Sequence, residues 1–451
     1  MRDLSAIVKA YDVRGLVPDE LDAEVARALG AAFADFAGAA TIVLARDMRE
    51  SGVELSRAFA QGVTGQGVDV IDAGLGSTDL LYYGAGRLGI PGAMFTASHN
   101  PARYNGVKLC LSGARPVGQD SGLAQIRDEA QRLLAAGGPV PGPRQGTVRA
   151  QDLLAGYADY MKELVPDLVG MRPLTVVVDA GNGMGGLTVP VVFEGLPLSV
   201  TRMFFELDGS FPNHEANPID PANTEELQAR VLAEGADLGL AFDGDADRCF
   251  VIDERGEIVS PSTLTALIAA RELAKAPGAT VIHNLITSRA VPEVVIEHGG
   301  VPVRTRVGHS FIKAEMARTD AVFGGEHSGH FYFRDFWNAD SGMLAALHTL
   351  AALGGQAGTL SSLLRSYQRY AASGEINSTV TDAAGRLAAL ADHFAGRPQD
   401  DLDGLTVSLA DGSWFNVRAS NTEPLLRLNV EAADAVAMQR VRDEVLAIIR
   451  G

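Results

Sequence analysis

Three aspartates on alternate residues follow an apolar run near the middle of the chain. The run Leu238-Gly239-Leu240-Ala241-Phe242 leads directly into Asp243-Gly244-Asp245-Ala246-Asp247-Arg248. Carboxylates this close together repel one another, so a positive group is expected among them. Ligand sets made only of oxygen favour hard cations such as Mg²⁺, Mn²⁺ or Ca²⁺ over zinc. The spacing therefore predicts a metal-binding loop at the end of a buried strand.

Three other interpretations of this aspartate loop compete with a strand-end metal site. A solvated turn is disfavoured because a second apolar run, 249–252, follows at once. An EF-hand would place the three aspartates at positions 1, 3 and 5 and Glu254 at position 12, but position 6 requires glycine and is Arg248 here. The EF-hand is therefore rejected. An aspartate nucleophile that forms an aspartyl-phosphate stays open.

A second polar loop contains a serine that could act as a nucleophile. Ala93-Met94-Phe95 leads into Thr96-Ala97-Ser98-His99-Asn100-Pro101, where a tight turn would present the Ser98 hydroxyl. A serine nucleophile requires activation by a base or a cation. His99 is adjacent, but sequence neighbours seldom point together, and no Gly-x-Ser-x-Gly motif surrounds the serine. From the spacing alone, a helix N-cap explains Ser98 equally well.

Two further loops could recognise a phosphorylated ligand that carries hydroxyl groups. Residues 418–424 combine an arginine, two hydroxyls and an amide, which suits a phosphate dianion but also an ordinary hairpin turn. Residues 325–330, Gly-Glu-His-Ser-Gly-His, offer hydrogen-bonding groups for sugar hydroxyls and candidate proton carriers, although a structural polar loop gives the same pattern. Arg14 and Lys108 place cations near the N-terminal part, where solvent exposure is the default expectation.

The elements that must position these loops recur three times along the chain. Short β-branched runs start near residues 41, 174 and 280, each followed by helical stretches, which predicts βαβ units with parallel strands. In each unit a later apolar strand runs into one of the polar loops. Open α/β sheets bind ligands beyond the carboxyl ends of their strands, so the three loops could face one cleft.

The last part of the chain, about 85 residues, has a different pattern, typical of a small α+β domain. Alternation of apolar and polar residues from Leu426 to Glu431 predicts an antiparallel strand. Val441, Val445 and Ile448 then recur at helical spacing and predict a terminal helix. Glycine- and proline-rich stretches at 137–143 and 354–358 are candidate domain boundaries.

Composition limits the possible partners. The formal net charge of −18 over 451 residues argues against nucleic acid and anionic membranes, although a small anionic substrate remains possible where cations are focused. Cys110 and Cys249 lie in apolar runs and are expected in the core without a disulfide. Because no apolar leader or membrane-length segment is evident, a cytoplasmic protein is expected.

Taken in order, five of these segments resemble the α-D-phosphohexomutase superfamily. They are Tyr11-Asp-Val-Arg-Gly, Thr96-Ala-Ser-His-Asn-Pro, Asp243-Gly-Asp-Ala-Asp-Arg, Gly325-Glu-His-Ser-Gly-His and Arg418-Ala-Ser-Asn-Thr-Glu-Pro. The match looks closer to the phosphomannomutase/phosphoglucomutase group than to phosphoglucosamine mutases, which more typically carry Ser-Gly-Thr in the last loop. One departure is Ala246 where the family usually has glycine, which we expect to be tolerated if φ is negative there.

The resemblance implies three related α/β domains and a smaller C-terminal α+β domain around a central cleft. Matched to this sequence, it predicts a phosphoserine domain (1–145), a metal-binding domain (146–254), a sugar-binding domain (255–362) and a C-terminal phosphate-binding domain (363–451). Ser98 would carry the transferable phosphoryl group. Asp243, Asp245 and Asp247 would bind Mg²⁺, with a phosphoserine oxygen completing the ligand set.

The remaining roles follow from the same resemblance. Arg14, Lys108 and Arg248 would offset phosphate charge, as phosphoryl transfer requires. Acid–base catalysis would come from His330 or Lys108, a choice that the sequence leaves open. The expected substrate-binding residues are Tyr11, His99, Asn100, His309, Glu326, His327, Ser328, Arg418, Ser420, Asn421 and Thr422.

The implied reaction moves a phosphoryl group between the 1- and 6-positions of mannose or glucose phosphates. Phosphorylated Ser98 would donate to the free hydroxyl of the monophosphate, and the bisphosphate so formed would return its other phosphate to Ser98. Hexose 1,6-bisphosphate is the expected activator, and the chain is expected to be a monomer or weak homodimer. Phosphoglucosamine mutase is the alternative, followed by a phosphohydrolase that uses Asp243 and by a sugar-phosphate-binding protein without turnover.

Overall fold

The computed structural model describes residues 3–419 and 425–451. These residues form two compact units, each assembled from two stretches of chain. Unit 1 contains Met1–Ser260 and Ser328–Leu363, and unit 2 contains Pro261–His327 and Leu364–Gly451. The chain therefore passes between the units three times.

The first segment of unit 1 is a mixed sheet with helices. Its elements in chain order are β1 Val13–Leu16, α1 Ala23–Ala37, β2 Thr41–Arg46, α2 Glu50–Gly65, β3 Asp69–Leu75, α3 Thr78–Leu88, β4 Gly92–Phe95, β5 Tyr104–Leu111, β6 Arg115–Pro116, α4 Leu123–Ala135 and β7 Val148–Ala150. The strand order is β1-β5-β4-β2-β3-β7, and β6 pairs with β5. β2 runs parallel to both β3 and β4, whereas β5 is antiparallel to β4. Apolar side chains of α1 and α2 pack with those of the strands in one core, in which the Phe59 ring meets Phe95 edge-on.

The second segment of unit 1 repeats this arrangement on a smaller scale. Its elements are α5 Leu154–Leu164, β8 Leu174–Asp179, α6 Gly185–Val192, β9 Leu198–Met203, α7 Glu225–Glu234, β10 Leu238–Phe242, β11 Cys249–Asp253 and β12 Ile258–Val259. The strand order is β12-β11-β10-β8-β9, with β8 parallel to β9 and β10. β10 is fully buried and antiparallel to β11.

The third segment begins in unit 2 and returns to unit 1. Its elements in unit 2 are α8 Pro261–Lys275, β13 Thr280–Asn284, α9 Ala290–Glu297, β14 Val301–Thr305, α10 His309–Thr319 and β15 Phe323–Gly325. β13 is parallel to β14 and to β15. The part that returns to unit 1 has β16 Phe331–Phe333, β17 Ala339–Asp340 and α11 Gly342–Gly354, and β16 is antiparallel to β17. α12, Leu360–Leu364, ends at the last boundary between the units.

The C-terminal part of unit 2 is an antiparallel sheet with two helices. Its elements are β18 Ala371–Ala372, β19 Ile376–Thr379, α13 Ala383–His393, β20 Gln399–Asp400, β21 Leu405–Ser408, β22 Trp414–Ala419, β23 Leu425–Ala432 and α14 Ala435–Arg450. The predicted strand and terminal helix are therefore β23 and α14. Val441 and Val445 are buried, as expected. Ile448, the third residue predicted to be buried, is only partly buried, and its neighbour Ile449 is buried instead.

The threefold repeat predicted from the sequence is confirmed in the sheets. In each segment the first strand of the repeat pairs in parallel with a later strand: β2 with β4, β8 with β10, and β13 with β15. Those later strands are the ones that lead into the Ser98, Asp243 and Glu326 loops. Each candidate loop therefore leaves the carboxyl end of a strand in a parallel pair, where open α/β sheets place their ligands.

A buried carboxylate connects three helices of unit 1. Asp79 in the first turn of α3 accepts hydrogen bonds from Tyr157 of α5 at 2.8 Å and from Ser341, the N-cap of α11, at 2.7 Å. Ser77, the N-cap of α3, also donates its hydroxyl to Asp79. Burial raises the pKa of Asp79 to about 6, although the three hydroxyl donors act in the opposite direction. Asp79 thereby links residues that are far apart in the sequence.

The expected location of the two cysteines in the core is confirmed. Cys110 and Cys249 are both buried and neither forms a disulfide. Over residues 3–419 and 425–451, no helix has the length and apolar character needed to cross a membrane.

Candidate active site

Ser98 lies just beyond β4, with its hydroxyl directed at the aspartate loop. Its Oγ donates to Oδ2 of Asp243 at 2.9 Å, and Nδ1 of His99 lies 3.2 Å from the same Oγ. The Ser98 backbone has φ +51°, in the left-handed region, and no helix begins at this residue. The N-cap interpretation is therefore wrong, and Ser98 instead faces a cluster of carboxylates.

The aspartate loop is a buried turn between two strands. β10 and β11 flank it, with Phe242 opposite Cys249, so the rejection of an EF-hand is confirmed. Oxygen atoms of Asp243, Asp245 and Asp247 lie within 4.8 Å of one another, and all three side chains are buried. A solvated turn is thereby excluded.

Lys108 and Arg248 neutralise part of this negative charge. Lys108 Nζ lies 2.7 Å from Asp245 Oδ2 and 2.6 Å from Asp247 Oδ2. Arg248 Nε donates to Asp243 Oδ2 at 3.0 Å, and its Nη2 lies 2.7 Å from Nδ1 of His99. The default expectation of a solvent-exposed Lys108 is wrong, since its side chain is only 15% exposed.

The two cations act on different carboxylates. Burial, reinforced by Asp247 and Asp245, raises the pKa of Asp243 to about 7 against the opposing effect of Arg248. Burial would also raise the pKa of Asp245, but the hydrogen-bonded Lys108 outweighs it and holds that pKa below its usual range. The carboxylate cluster is thus only partly compensated by protein cations.

The donor set fits a hard divalent cation. Oδ1 of Asp245 and Oδ1 of Asp247 are buried, and neither has a hydrogen-bond partner among the described residues. Buried carboxylate oxygens without partners are costly, and a bound cation would remove that cost. Carboxylate ligands alone suit Mg²⁺ better than zinc.

The Tyr11–Arg14 segment contributes an arginine to the Ser98 loop. Arg14 Nη1 donates to Asn100 Oδ1 at 2.6 Å, while its Nε donates to Asp12 Oδ2 at 2.9 Å. Arg14 is half-buried, so solvent exposure was the wrong default expectation for it as well. Tyr11 is half-buried just ahead of β1.

The Gly325–His330 motif is divided by the boundary between the units. In unit 1, Ser328 Oγ lies 3.1 Å from Nδ1 of His330. Nε2 of His330 lies 3.8 Å from Asp247 Oδ1 and 3.9 Å from Asp340 Oδ2. His330 therefore belongs to the surroundings of the aspartate loop, and its role as a proton carrier stays a prediction.

In unit 2, Glu326 is joined to the turn that begins α10. Its Oε1 accepts from the backbone N–H of Gly308 at 3.1 Å and from Asn284 Nδ2 at 3.3 Å. His309 is the first residue of α10 and is half-buried. The structure thus brings two predicted substrate-binding segments of unit 2 together.

A second group in unit 2 contains His327 and Arg418. Arg418 lies opposite Arg427 in the β22–β23 pair, and both donate to Glu375, at 2.8 and 3.1 Å respectively. Burial lowers the pKa of His327, with Glu375 acting against this shift and Arg418 adding to it. The predicted phosphate-binding residues Ser420, Asn421 and Thr422 lie outside the described residues.

Ala246 does not meet the condition under which we expected alanine to be tolerated. Its φ is +58°, not negative. A left-handed L-residue costs about 1–2 kcal/mol, a cost that glycine avoids. Because Ala246 is only 1% exposed, its buried methyl group recovers about 0.8 kcal/mol of that cost.

Two candidate functional residues, Arg49 and Thr78, were not identified from the sequence. Arg49 donates to the carbonyl oxygen of Ser98 at 2.9 Å, and Thr78 Oγ1 donates to Asp245 Oδ2 at 2.6 Å. Arg49 had a detectable signal, because Asp47-Met-Arg49 follows the apolar strand β2 just as the recognised loops follow theirs. Thr78 had none, since its role depends on how α3 packs beside the aspartate loop.

Comparisons with known proteins match this arrangement along the whole chain. Family models for phosphoglucomutase/phosphomannomutase match in order: alpha/beta/alpha domain I at residues 5–135, domain II at 155–256, domain III at 260–370 and the C-terminal domain at 375–448. They give the chain three related α/β domains and a C-terminal domain, as expected. The proposed boundaries at 145, 254 and 362 stay a prediction.

Individual relatives are similar over nearly their full length. A phosphomannomutase from Salmonella montevideo is 39% identical, covering 98% of each chain. A protein named phosphohexose mutases from Xanthomonas campestris pv. campestris is 41% identical, covering 98% of this chain and 99% of that one. The crystal structure of a phosphoglucomutase/phosphomannomutase family protein from Burkholderia thailandensis is 33% identical with a TM-score of 0.87, covering 99% of this chain and 97% of that chain. The chain belongs to the phosphoglucomutase/phosphomannomutase family and is a phosphohexomutase, an isomerase that moves a phosphoryl group within a hexose phosphate.

Proposed function

We propose that this phosphohexomutase interconverts the 1- and 6-phosphates of mannose and of glucose through a phosphoryl group carried on Ser98. The observation that supports this most directly is the 2.9 Å hydrogen bond from Ser98 Oγ to Asp243, within a cluster of three buried carboxylates. The names of the relatives support mannose phosphates among the substrates.

Asp243, Asp245 and Asp247 would hold Mg²⁺, together with a phosphate oxygen on Ser98. When bound, the ion would withdraw charge from the phosphoryl oxygens and favour their transfer. Two buried oxygens, Oδ1 of Asp245 and of Asp247, have no hydrogen-bond partner among the described residues and suit this role.

In the first half-reaction, the free hydroxyl of a hexose monophosphate attacks the phosphorus on Ser98. The new sugar O–P bond forms as the P–Oγ bond breaks, and the hydroxyl proton passes to His330. We assign this proton transfer to His330 rather than Lys108, because Lys108 Nζ is engaged by two carboxylates. In the second half-reaction, the Ser98 Oγ left without a proton attacks the other phosphate of the bisphosphate, and the P–O bond to the sugar breaks. His330 returns its proton to the sugar oxygen that leaves, which releases the isomerised monophosphate.

The cations of unit 1 would offset the negative charge that spreads over the transferring oxygens. Arg248 and Lys108 contact the carboxylate cluster, and Arg14 reaches the Ser98 loop through Asn100. Their positions are fixed by hydrogen bonds before substrate binds, which lowers the cost of organising charge during transfer.

Other residues expected from the family resemblance would bind the sugar end that is not reacting. Glu326 offers a carboxylate for hydroxyl groups, and Arg418 offers a guanidinium for the second phosphate. Ser420, Asn421 and Thr422 would complete this phosphate contact. One phosphate-binding site suits the reaction, because the phosphate at each end of the bisphosphate must bind there in turn.

The test compares initial rates for mannose 1-phosphate, glucose 1-phosphate and glucosamine 1-phosphate, with Mg²⁺ and a hexose 1,6-bisphosphate present. Ser98→Ala should abolish isomerisation, and intact mass should show a phosphoryl adduct on the native protein that the variant lacks. Ser112→Ala, on an exposed serine, is the matched control. Full activity in Ser98→Ala would overturn the proposal, and release of inorganic phosphate without isomerisation would indicate a phosphohydrolase.

A further inference from the structure

Arg49 is a fully buried arginine whose two terminal guanidinium nitrogens donate to the Ser98 loop and the start of β5. Its side chain is 1% exposed. Nη2 donates to the carbonyl oxygens of Ser98 at 2.9 Å and Asn100 at 2.6 Å. Nη1 donates to the carbonyl oxygens of Pro101 and Tyr104, both at 2.9 Å. Four carbonyl groups between Ser98 and Tyr104 therefore converge on a single side chain.

The fifth donor is held by a carboxylate from the same turn as Arg49. Nε donates to Asp47 Oδ2 at 3.2 Å, and the backbone N–H of Arg49 donates to Asp47 Oδ1 at 3.0 Å. A guanidinium has five N–H donors, so each of them has an acceptor here. Lysine has one nitrogen on a flexible stem and could not reproduce this pattern.

The opposite side of Ser98 is held through Thr96. The backbone N–H of Ser98 donates to Thr96 Oγ1 at 2.8 Å. The Thr96 hydroxyl also opposes the rise in the pKa of Asp47 that burial causes. The N–H of Ser98 is thus held by Thr96, and its C=O is held by Arg49, which Asp47 orients.

This restraint coincides with a strained backbone. Ser98 has φ +51°, a conformation that L-residues avoid unless the surrounding structure enforces it. In this conformation Ser98 Oγ reaches Asp243 of the second segment. The second segment also covers Arg49, whose guanidinium carbon lies 5.1 Å from the centre of the Phe211 ring.

We propose that Arg49, oriented by Asp47 and assisted by Thr96, is a positioning residue for the mutase reaction that holds Ser98 in its left-handed conformation for phosphoryl transfer. This inference rests on the proposed role of Ser98 as the phosphoryl carrier. Arg49 does not touch the reacting atoms. It acts through the Ser98 backbone, so its loss should slow transfer without weakening substrate binding.

The test combines Arg49→Lys with the pair Thr96→Val and Thr96→Ser. We expect Arg49→Lys and Thr96→Val to lower kcat about 100-fold, the loss typical of a misplaced reacting group, with KM within about threefold of the native value. Thr96→Ser retains the hydroxyl and should restore most of kcat. After incubation with hexose 1,6-bisphosphate, intact mass should show less phosphorylated Ser98 in the two impaired variants. Arg103→Lys, on an exposed arginine of the same loop, controls for loss of an arginine.

The outcomes separate this inference from the proposed function. Native kcat in folded Arg49→Lys or in Thr96→Val would overturn the positioning role, as would a loss in Thr96→Ser equal to that in Thr96→Val. If Arg49→Lys does not fold, the two threonine variants decide the question. An active Ser98→Ala would overturn the proposed function itself. An inactive Ser98→Ala beside a fully active Arg49→Lys would reject only the positioning role.

Discussion

Ser98 and Asp243 are 145 positions apart in the sequence, and their side chains are joined by a 2.9 Å hydrogen bond in unit 1. The loops that carry them also touch through their backbones. A Cβ atom added to Gly244 would lie 2.5 Å from the carbonyl oxygen of Ser98, closer than real contacts allow. The same Ser98 carbonyl accepts the hydrogen bond from Arg49. The approach of the two loops therefore requires glycine at this position.

Gly244→Ala should push the aspartate loop away from Ser98. Because displacement of a reacting group by about 1 Å can cost about 100-fold in rate, we expect a kcat loss of that order. Steady-state kinetics at saturating Mg²⁺ measure it. Gly65→Ala is the matched control, since a Cβ there meets nothing within 4 Å. Unchanged kcat in a folded Gly244→Ala protein would show that the two loops need not approach this closely.

Lys108→Met should destabilise the metal-free protein and make it depend on divalent cations. Removing the shared partner of Asp245 and Asp247 leaves buried carboxylates without compensation, a change that costs about 3–5 kcal/mol. Denaturation in a chelator should show this loss, and added Mg²⁺ should raise the Tm of the variant more than that of the native protein. Lys162→Met, at a partly exposed ion pair with an N–O distance of 3.8 Å, is the control. An equal Mg²⁺ effect in both proteins would contradict the prediction.

Asp79 should make the folded state less stable as pH rises. Its folded-state pKa of about 6 lies above the unfolded value of 3.8, so the folded protein binds more protons between these values. Its contribution is fully present below the unfolded pKa and is lost as pH rises through about 6. Asp79→Asn removes this titration. From pH 4 to pH 7, the unfolding free energy of the native protein should fall relative to that of the variant. The relative loss should be at most about 3 kcal/mol. Urea denaturation across this range measures it, and a constant difference would refute the assignment.

Glu375→Gln should weaken phosphate binding with little effect on transfer. Arg418 and Arg427 face each other across β22 and β23, and like charges in such pairs repel unless a counter-ion joins them. Without the Glu375 charge, Arg418 loses its fixed orientation, so we expect KM for the sugar phosphate to rise about tenfold, or about 1.4 kcal/mol. kcat should stay within about threefold. Glu444→Gln, at a partly exposed pair with His393, is the control. A lower kcat with unchanged KM would place Glu375 in a different role.

The sequence was most informative where strands meet loops. The three apolar strands that end in polar loops were recognisable, because a buried strand consists of apolar residues and the polar residues of the loop follow it directly. Asp243, Asp245 and Asp247 could be identified as one cluster from their alternate spacing alone. The family resemblance then linked loops that lie hundreds of positions apart.

Other features depended on geometry that spacing does not encode. The sign of φ at Ala246 is set by how the aspartate turn closes, so an expectation based on residue type was wrong. The bridging position of Lys108 depends on β5 lying next to β4, a pairing that brings it to another segment's carboxylates. Thr78 was missed because its contact with Asp245 depends on how α3 packs beside the aspartate loop.

The discontinuous composition of unit 1 has a consequence for its biosynthesis. The backbone of Arg248 packs against Gly342 so closely that a Cβ there would lie 2.6 Å from it, and Asp79 receives its hydrogen bond from Ser341. Both partners emerge from the ribosome only after the whole stretch 261–327 has been made. Domains generally fold as units during synthesis, N-terminal parts first. The nascent chain must therefore keep the aspartate loop and the Asp79 carboxylate in an incompletely packed state until translation passes residue 342.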